Sequence, residues 1–161
     1  MIAAVPVEQR TSKSLLSIPN FDRFFRSAAR LDVDKTDLKR YGEFVNRKLH
    51  HLLLRGEAIA RANGSQIIEP FHLPITKGLQ ESIHVFKSMD EKIALAPILA
   101  HLAALPPLNL VYSDETEAEL PSIAGGLSVA LARTFKIIDP RLKNPQSEHW
   151  QRSFQIFDLL V

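Results

Sequence analysis

FDRFFRSAAR LDVDKTDLKR YGEFVNRKLH HLLLRGEAIA RANGSQIIEP FHLPITKGL, residues Phe21 to Leu79, is the stretch on which the fold turns. It reads as short helix, tight loop, long helix, tight loop, helix. Phe21, Phe24, Phe25, Ala28 and Ala29 recur at three-to-four spacing, one apolar stripe on a helix over about Phe21–Arg30. Asp32–Thr36 makes the first loop, and its short polar side chains can accept from the free N–H groups of the next helix. A long helix then runs from about Asp37 to Ala62. Leu38, Tyr41, Val45, Leu49, Leu52 and Ile59 form its main apolar face, widened by Phe44, Leu53, Leu54, Ala58 and Ala62. A belt so wide packs on more than one side. Such a helix spans about 39 Å, too long for two short neighbours to cover, so it needs a crossing partner. Gly42 and Gly56 each weaken it by about 1 kcal/mol relative to Ala, which leaves packing to hold it. Asn63–Gly64 supplies a left-handed stop. Gln66–Ile68 is extended, and a third helix follows Glu69–Pro70. Because Pro74 comes soon after Pro70, that helix settles from about Ile75, with Leu79, Ile83, Phe86 and Met89 as its stripe.

The order then repeats loosely. Ile93–Leu105 is a short Ala- and Leu-rich helix, regular from near Pro97, and Pro106–Pro107 ends it. Leu108–Val111 is extended. Ser113, Asp114 and Glu115 start a second long helix, Thr116–Ile138, which Pro121 should kink or restart. Gly125–Gly126 inside it would let another backbone approach closely. Asp139–Pro140 closes it, and Pro145–Leu160 is the last helix, with Trp150, Phe154, Phe157 and Leu160 apolar. The expected organisation is all-α: a loosely attached tail over 1–17, a first unit over 18–89 and a degenerate second unit over 90–161. Each unit buries the other's belt.

Bulk composition narrows the class. The 161 residues are 45% hydrophobic, enough for one compact domain or two small interlocked ones. No apolar run approaches the roughly 18 residues of a membrane span, and Met1–Arg10 lacks the pattern of a secretory signal. Zero cysteines exclude disulfides and thiolate metal sites. A cytoplasmic protein is expected, in the nucleoid if it binds DNA. Residues 1–89 hold 14 Lys and Arg against 9 Asp and Glu, a net +5, whereas residues 90–161 carry −3. A basic half can attract phosphate, although +5 is modest for a dedicated nucleic-acid binder.

From Val33 to Gly64, and on into Gly64-Ser65-Gln66-Ile67-Ile68-Glu69, the chain resembles the histone family, the archaeal histones above all. Over about Phe21–Leu160 it is still more similar to a small bacterial family of uncharacterised proteins with two histone folds fused in one chain. Leu31-Asp32-Val33-Asp34-Lys35, Asp37-Leu38-Lys39-Arg40, Pro74-Ile75, Lys77-Gly78-Leu79-Gln80-Glu81, Ala103 to Leu108, and Asp139-Pro140 with Leu142 to Gln146 carry that likeness. The resemblance implies two histone folds paired as an intramolecular pseudo-dimer. It also implies phosphate contact through the short helix, where the histone positions fall on Arg23 and Arg26. Other histone contacts are altered: the arginine before the first loop's valine falls on Asp32, and the second-loop lysine–threonine pair falls on Gln66 and Ile67. The equivalent loop of the second half, Asn109–Ser113, has no Lys or Arg.

Arg23, Arg26, Arg30, Lys39, Arg40, Arg47 and Lys48 are the densest basic set, and Arg23, Arg26 and Arg30 align at i, i+3, i+7 to meet a phosphate backbone. The expected DNA-phosphate contacts are therefore Arg23, Arg26 and Arg30, assisted by Lys39 and Arg40, without base readout. An ordinary charged face competes with that expectation. Asp32-x-Asp34-x-Thr36 starts like a calcium loop but lacks the glycine and closing glutamate, so capping is favoured. His50 and His51 point about 100° apart on a helix, and Glu81 with His84 is a single pair, poor grounds for a metal site. There is no Gly-x-Ser-x-Gly elbow, phosphate-binding glycine loop or His-Glu-x-x-His run. No enzyme, cofactor or small-molecule substrate is expected. Double-stranded DNA is the first partner expected. The alternative is an interaction module that kept the fold and lost DNA, offering Leu54 and the end of the third helix to another protein subunit.

Overall fold

The computed structural model describes residues 14–161, so residues 1–13 of the expected tail lie outside it. The described residues form six helices: α1 (Ile18–Ala29), α2 (Lys35–Ala62), α3 (Lys77–Ser88), α4 (Leu95–Ala103), α5 (Asp114–Ile138) and α6 (Ser147–Leu160). Two strands of two residues each, β1 (Ile67–Ile68) and β2 (Val111–Tyr112), pair in parallel with Ile67 opposite Val111. The architecture is all-α, as the periodicity requires.

α2 starts where the acidic loop caps it. The Asp34 carboxylate accepts from Thr36 N at 2.9 Å and Asp37 N at 3.1 Å, while Asp37 accepts from Asp34 N at 3.0 Å. This reciprocal box satisfies the free donors of the first turn and moves the helix start two residues upstream of the expected Asp37. Gly64, at φ 74°, ends the segment as expected. Between β1 and α3, Pro70–His72 form one 3₁₀ turn and α3 begins at Lys77. Pro121 lies inside α5 without restarting it. Leu120, Ile123 and Ala124 around it are buried, and their packing outweighs one missing hydrogen bond.

The two halves interlock. α2 touches α5 over a limited stretch, while the much shorter α3 packs more extensively on α5 than α2 does. At the α2–α5 contact the Tyr41 hydroxyl and Ser128 Oγ lie 2.8 Å apart, fully buried, and burial pushes the Tyr41 phenol well above its ordinary pKa. Gly125 and Gly126 explain the closeness of α3. A methyl group at Gly126 would come within 2.9 Å of the Ile83 backbone nitrogen, and one at Gly125 would enter the Phe86 ring. α6 lies against the first half of α2 through bulk instead. Phe44 stacks on Phe154 at 5.2 Å and meets Phe157 edge-on at 4.8 Å, and Trp150 Nε1 donates to the buried Asp37 carboxylate at 2.8 Å.

Two further sequence expectations change. Lys48 is not a surface cation: its side chain is 2% exposed and pairs with Asp158 Oδ1 at 2.6 Å. The described end of the expected tail is not loose, since Leu15 and Leu16 are in the core and Leu15 O accepts from Ala94 N at 3.2 Å. Apolar residues with no period gave no sign of this.

Candidate nucleic-acid interface

α1 buries Phe21, Phe24 and Phe25 and turns Arg23, Arg26 and Arg30 outward, as the three-to-four spacing dictates. The three are not equivalent. Arg23 donates to both carboxylate oxygens of Glu91, at 2.7 and 3.1 Å, so a bidentate partner already matches its charge. That hydrogen bond, then Glu91's charge, raises the Arg23 pKa further. Arg26 lies 3.7 Å from Asp32, both well exposed, a pairing that solvent renders weak. Arg30 closes α1 in the left-handed region, at φ 54° and ψ 42°, the one positive-φ residue other than glycine among those described. This conformation lets Leu31 turn back into the core, its N–H reaching Phe25 O at 3.2 Å. Glycine is the usual residue here. Arginine costs strain and places a cation at the helix's negative end.

The first loop meets a loop from the far half. Asp32 N donates to Lys143 O at 2.6 Å, so the loop carrying exposed Arg141 and Lys143 meets the loop that follows Arg26 and Arg30. The far loop is rigidly held: Leu142 is buried, Lys136 Nζ donates to Leu142 O, and Arg141 N donates to Asp139 Oδ1 at 3.1 Å. Exposed Lys35 and Lys39 follow on α2, one turn apart. Half-buried Arg40 reaches the start of α6, donating to Ser147 Oγ at 2.8 Å. Carboxylates share this end: Asp32, Asp34, Asp37 and Asp139, with exposed Glu148 next to Ser147. Asp34 and Asp139 accept from backbone N–H groups yet keep their charge, so with Asp32 they oppose the cations. Hydrogen bonding, first from the Thr36 hydroxyl, lowers the Asp34 pKa and keeps it ionised. Burial raises that of Asp37.

Of the five expected contact residues, Arg26 and Arg30 flank the first loop, Lys39 and Arg40 follow it on α2, and Arg23 is tied to Glu91. Lys143, Arg141 and Lys35 join them and were not anticipated. The first two belong to the acidic half, and only cross-pairing of the loops would have pointed to them. The other loop bridge, β1 with β2, contrasts sharply, because residues 62–76 and 104–113 contain no Lys or Arg. Leu54, offered by the sequence to a partner, is 41% exposed beside a cleft of about 520 Å³ that Leu159 and Leu160 also line. Among the described residues no His, Cys, Asp or Glu cluster could hold a metal ion, and no helix is long and apolar enough to cross a membrane.

Known proteins share this fold. A crystal structure from Thermus thermophilus is 48% identical, with a TM-score of 0.87 over 91% of this chain and 99% of that one. A 1.9 Å crystal structure of a protein from Aquifex aeolicus is 25% identical, with a TM-score of 0.76 over 89% and 95%. An uncharacterized protein from Aquifex aeolicus strain VF5 is 30% identical over 139 residues, 85% of this chain and 80% of its own length. The crystal structure of the histone from Methanopyrus kandleri matches with a TM-score of 0.54 at 14% identity, covering 84% and 90%, a likeness of fold alone. Residues 21–158 match the family described as Domain of unknown function (DUF1931). The chain belongs to the DUF1931 family and shares a distant structural likeness with a histone.

Proposed function

We propose that this chain is a histone-like architectural protein, two histone folds paired within one polypeptide, that holds duplex DNA by its phosphates at the end where Asp32 meets Lys143. The observation that carries the proposal is this bridge, a backbone hydrogen bond between the loop after Arg26 and Arg30 and the loop carrying Arg141 and Lys143. Internal symmetry supports the pairing. The first loop of the first half meets the second loop of the second half, and β1–β2 makes the reciprocal bridge. Each half's last helix reaches the other half's long helix: α3 packs closely on α5, while α6, which also packs on α5, reaches α2 through side chains. Even the caps repeat: Glu69 N donates to His72 Nδ1 and Gln146 N to His149 Nδ1, each at 2.9 Å.

The proposed mechanism is counterion release. Arg26, Arg30, Lys35, Lys39, Arg141 and Lys143 displace condensed cations from the duplex, with no base contact and so no sequence preference. Binding alone is the proposed activity, without catalysis or a cofactor, and the nucleoid is its proposed place. Fluorescence anisotropy on a short duplex at low salt tests this. Arg26→Glu/Arg30→Glu and, separately, Lys143→Glu should each weaken binding at least tenfold, while Arg61→Glu, away from the bridge, changes it less than twofold. Equal affinity for all four proteins would overturn the proposal.

A further inference from the structure

We propose that the opposite end, around β1 and β2, is a docking surface for a second copy of this chain, joined about a two-fold axis. Ile67 and Val111 stand side by side in the ladder and are 42% and 69% exposed, and Phe71, in the turn leaving it, is 78% exposed. Together they expose roughly 300 Å² of apolar surface, the size of the largest patches on typical monomers, which are often functional.

The ridge is rigid. Glu57 Oε2 accepts from Asn109 N at 2.6 Å and Leu110 N at 2.9 Å, while Ser113 N and Thr116 Oγ1 both donate to Ile68 O, at 3.0 and 2.8 Å. Ser65 Oγ pins Ile67 from the other side, donating to its carbonyl at 2.7 Å. A preorganised apolar surface gives up little entropy on association.

A second copy fits better than any other occupant for two reasons. First, Val111 also borders an apolar cleft of about 430 Å³ lined by Leu99, Leu102, Ala103 and Leu108. Ridge and hollow are thus adjacent on one molecule, and a two-fold axis beside Val111 sets each ridge into the other's hollow, the self-complementary geometry of an isologous dimer. Second, the flanks carry opposite charge. Exposed Arg61 precedes β1, and exposed Asp114 and Glu115 follow β2, so the same axis faces basic against acidic. Ridge and hollow together expose roughly 400 Å² per partner, short of the roughly 600 Å² of the smallest stable interfaces, so the dimer is a weak one. It would leave both Asp32–Lys143 bridges pointing outward. The proposal does not depend on DNA binding.

Sedimentation velocity of the full chain, from low to several hundred micromolar without DNA, tests it. A concentration-dependent monomer–dimer equilibrium is expected. Phe71→Asp and Val111→Asp should raise the dimer dissociation constant at least tenfold, and Ile137→Asp, equally exposed but on α5 away from the ridge, should not. A monomer at every concentration, a dimer indifferent to both ridge variants, or open-ended larger species would each overturn the proposal. The chain has no cysteine, which gives a second measurement. Mixed Phe71→Cys and Ala103→Cys chains should form a disulfide between unlike chains under mild oxidation, and its absence refutes the ridge-in-hollow arrangement.

Discussion

Replacing Gly126 by alanine tests the interlock of the two halves where it is tightest. In isolation the change favours a helix by about 1 kcal/mol. In this structure the added methyl group meets Ile83 N at 2.9 Å and Ile83 Cα at 3.1 Å, backbone atoms that yield only if α3 moves off α5. Overpacking of this kind costs about 1–3 kcal/mol, before Phe86 and Ile83 lose contacts of their own. The net expectation is a loss of about 1–2 kcal/mol. Gly42 is the internal control: it also lies within a long helix, but nothing is within 4 Å of where its methyl group would be, so Gly42→Ala should gain up to about 1 kcal/mol. For a chain of this size 1 kcal/mol shifts Tm by about 2–4 °C. Gly42→Ala should therefore melt a few degrees above wild type and Gly126→Ala a few degrees below. Trp150, the one tryptophan, is buried against Asp37 and reports the transition by fluorescence. Equal stabilisation by both substitutions would refute close packing of α3 on α5.

Arg30→Gly should relieve the left-handed backbone and stabilise the protein by about 0.5–1 kcal/mol while weakening duplex binding, whereas Arg30→Ala should weaken binding with no such gain; paired urea melts and anisotropy decide. Asp158→Ala strands the buried Lys48 ammonium and should cost about 3 kcal/mol in urea denaturation, and Lys48→Met should cost less because half-exposed Asp158 can turn to water. Chiefly through its hydrogen bond from Lys48, Asp158 has a pKa lowered from the ordinary 3.8. Its contribution is thus complete above that value and lost as pH falls below it toward the folded-state value, so Asp158→Asn should flatten the fall in Tm below about pH 4. Leu16→Ala, at a buried position of the supposed tail, should cost about 2–5 kcal/mol by the same melts; a surface-like cost would restore a loose tail.

Local rules made the helices legible. The stripe of Phe21, Phe24 and Phe25, the Asp34 cap and Gly64 announced α1, α2 and their ends, and Gly125–Gly126 announced a close neighbour. What escaped depends on partners distant in sequence. Lys48 reads as a surface cation until Asp158 is placed beside it, and Arg23 reads as free until Glu91 closes on it. Lys143 lies in an acidic half and joins the basic end only because the loops cross-pair. Leu15 and Leu16 lack a period because they pack as irregular chain, and the exposure of Ile67 beside buried Ile68 follows from strand alternation over just two residues. Pro121 misled because its cost is small beside the packing of a buried helix.

The salt dependence of duplex binding bears most directly on the shared basic end. With about six phosphates neutralised by residues of both halves, log K should fall with log salt at a slope near −5. Lys143→Glu, a residue of the second half, should make that slope shallower by about one unit. A flat salt response, or a slope that Lys143→Glu leaves unchanged, would show that the two halves build no common surface for DNA.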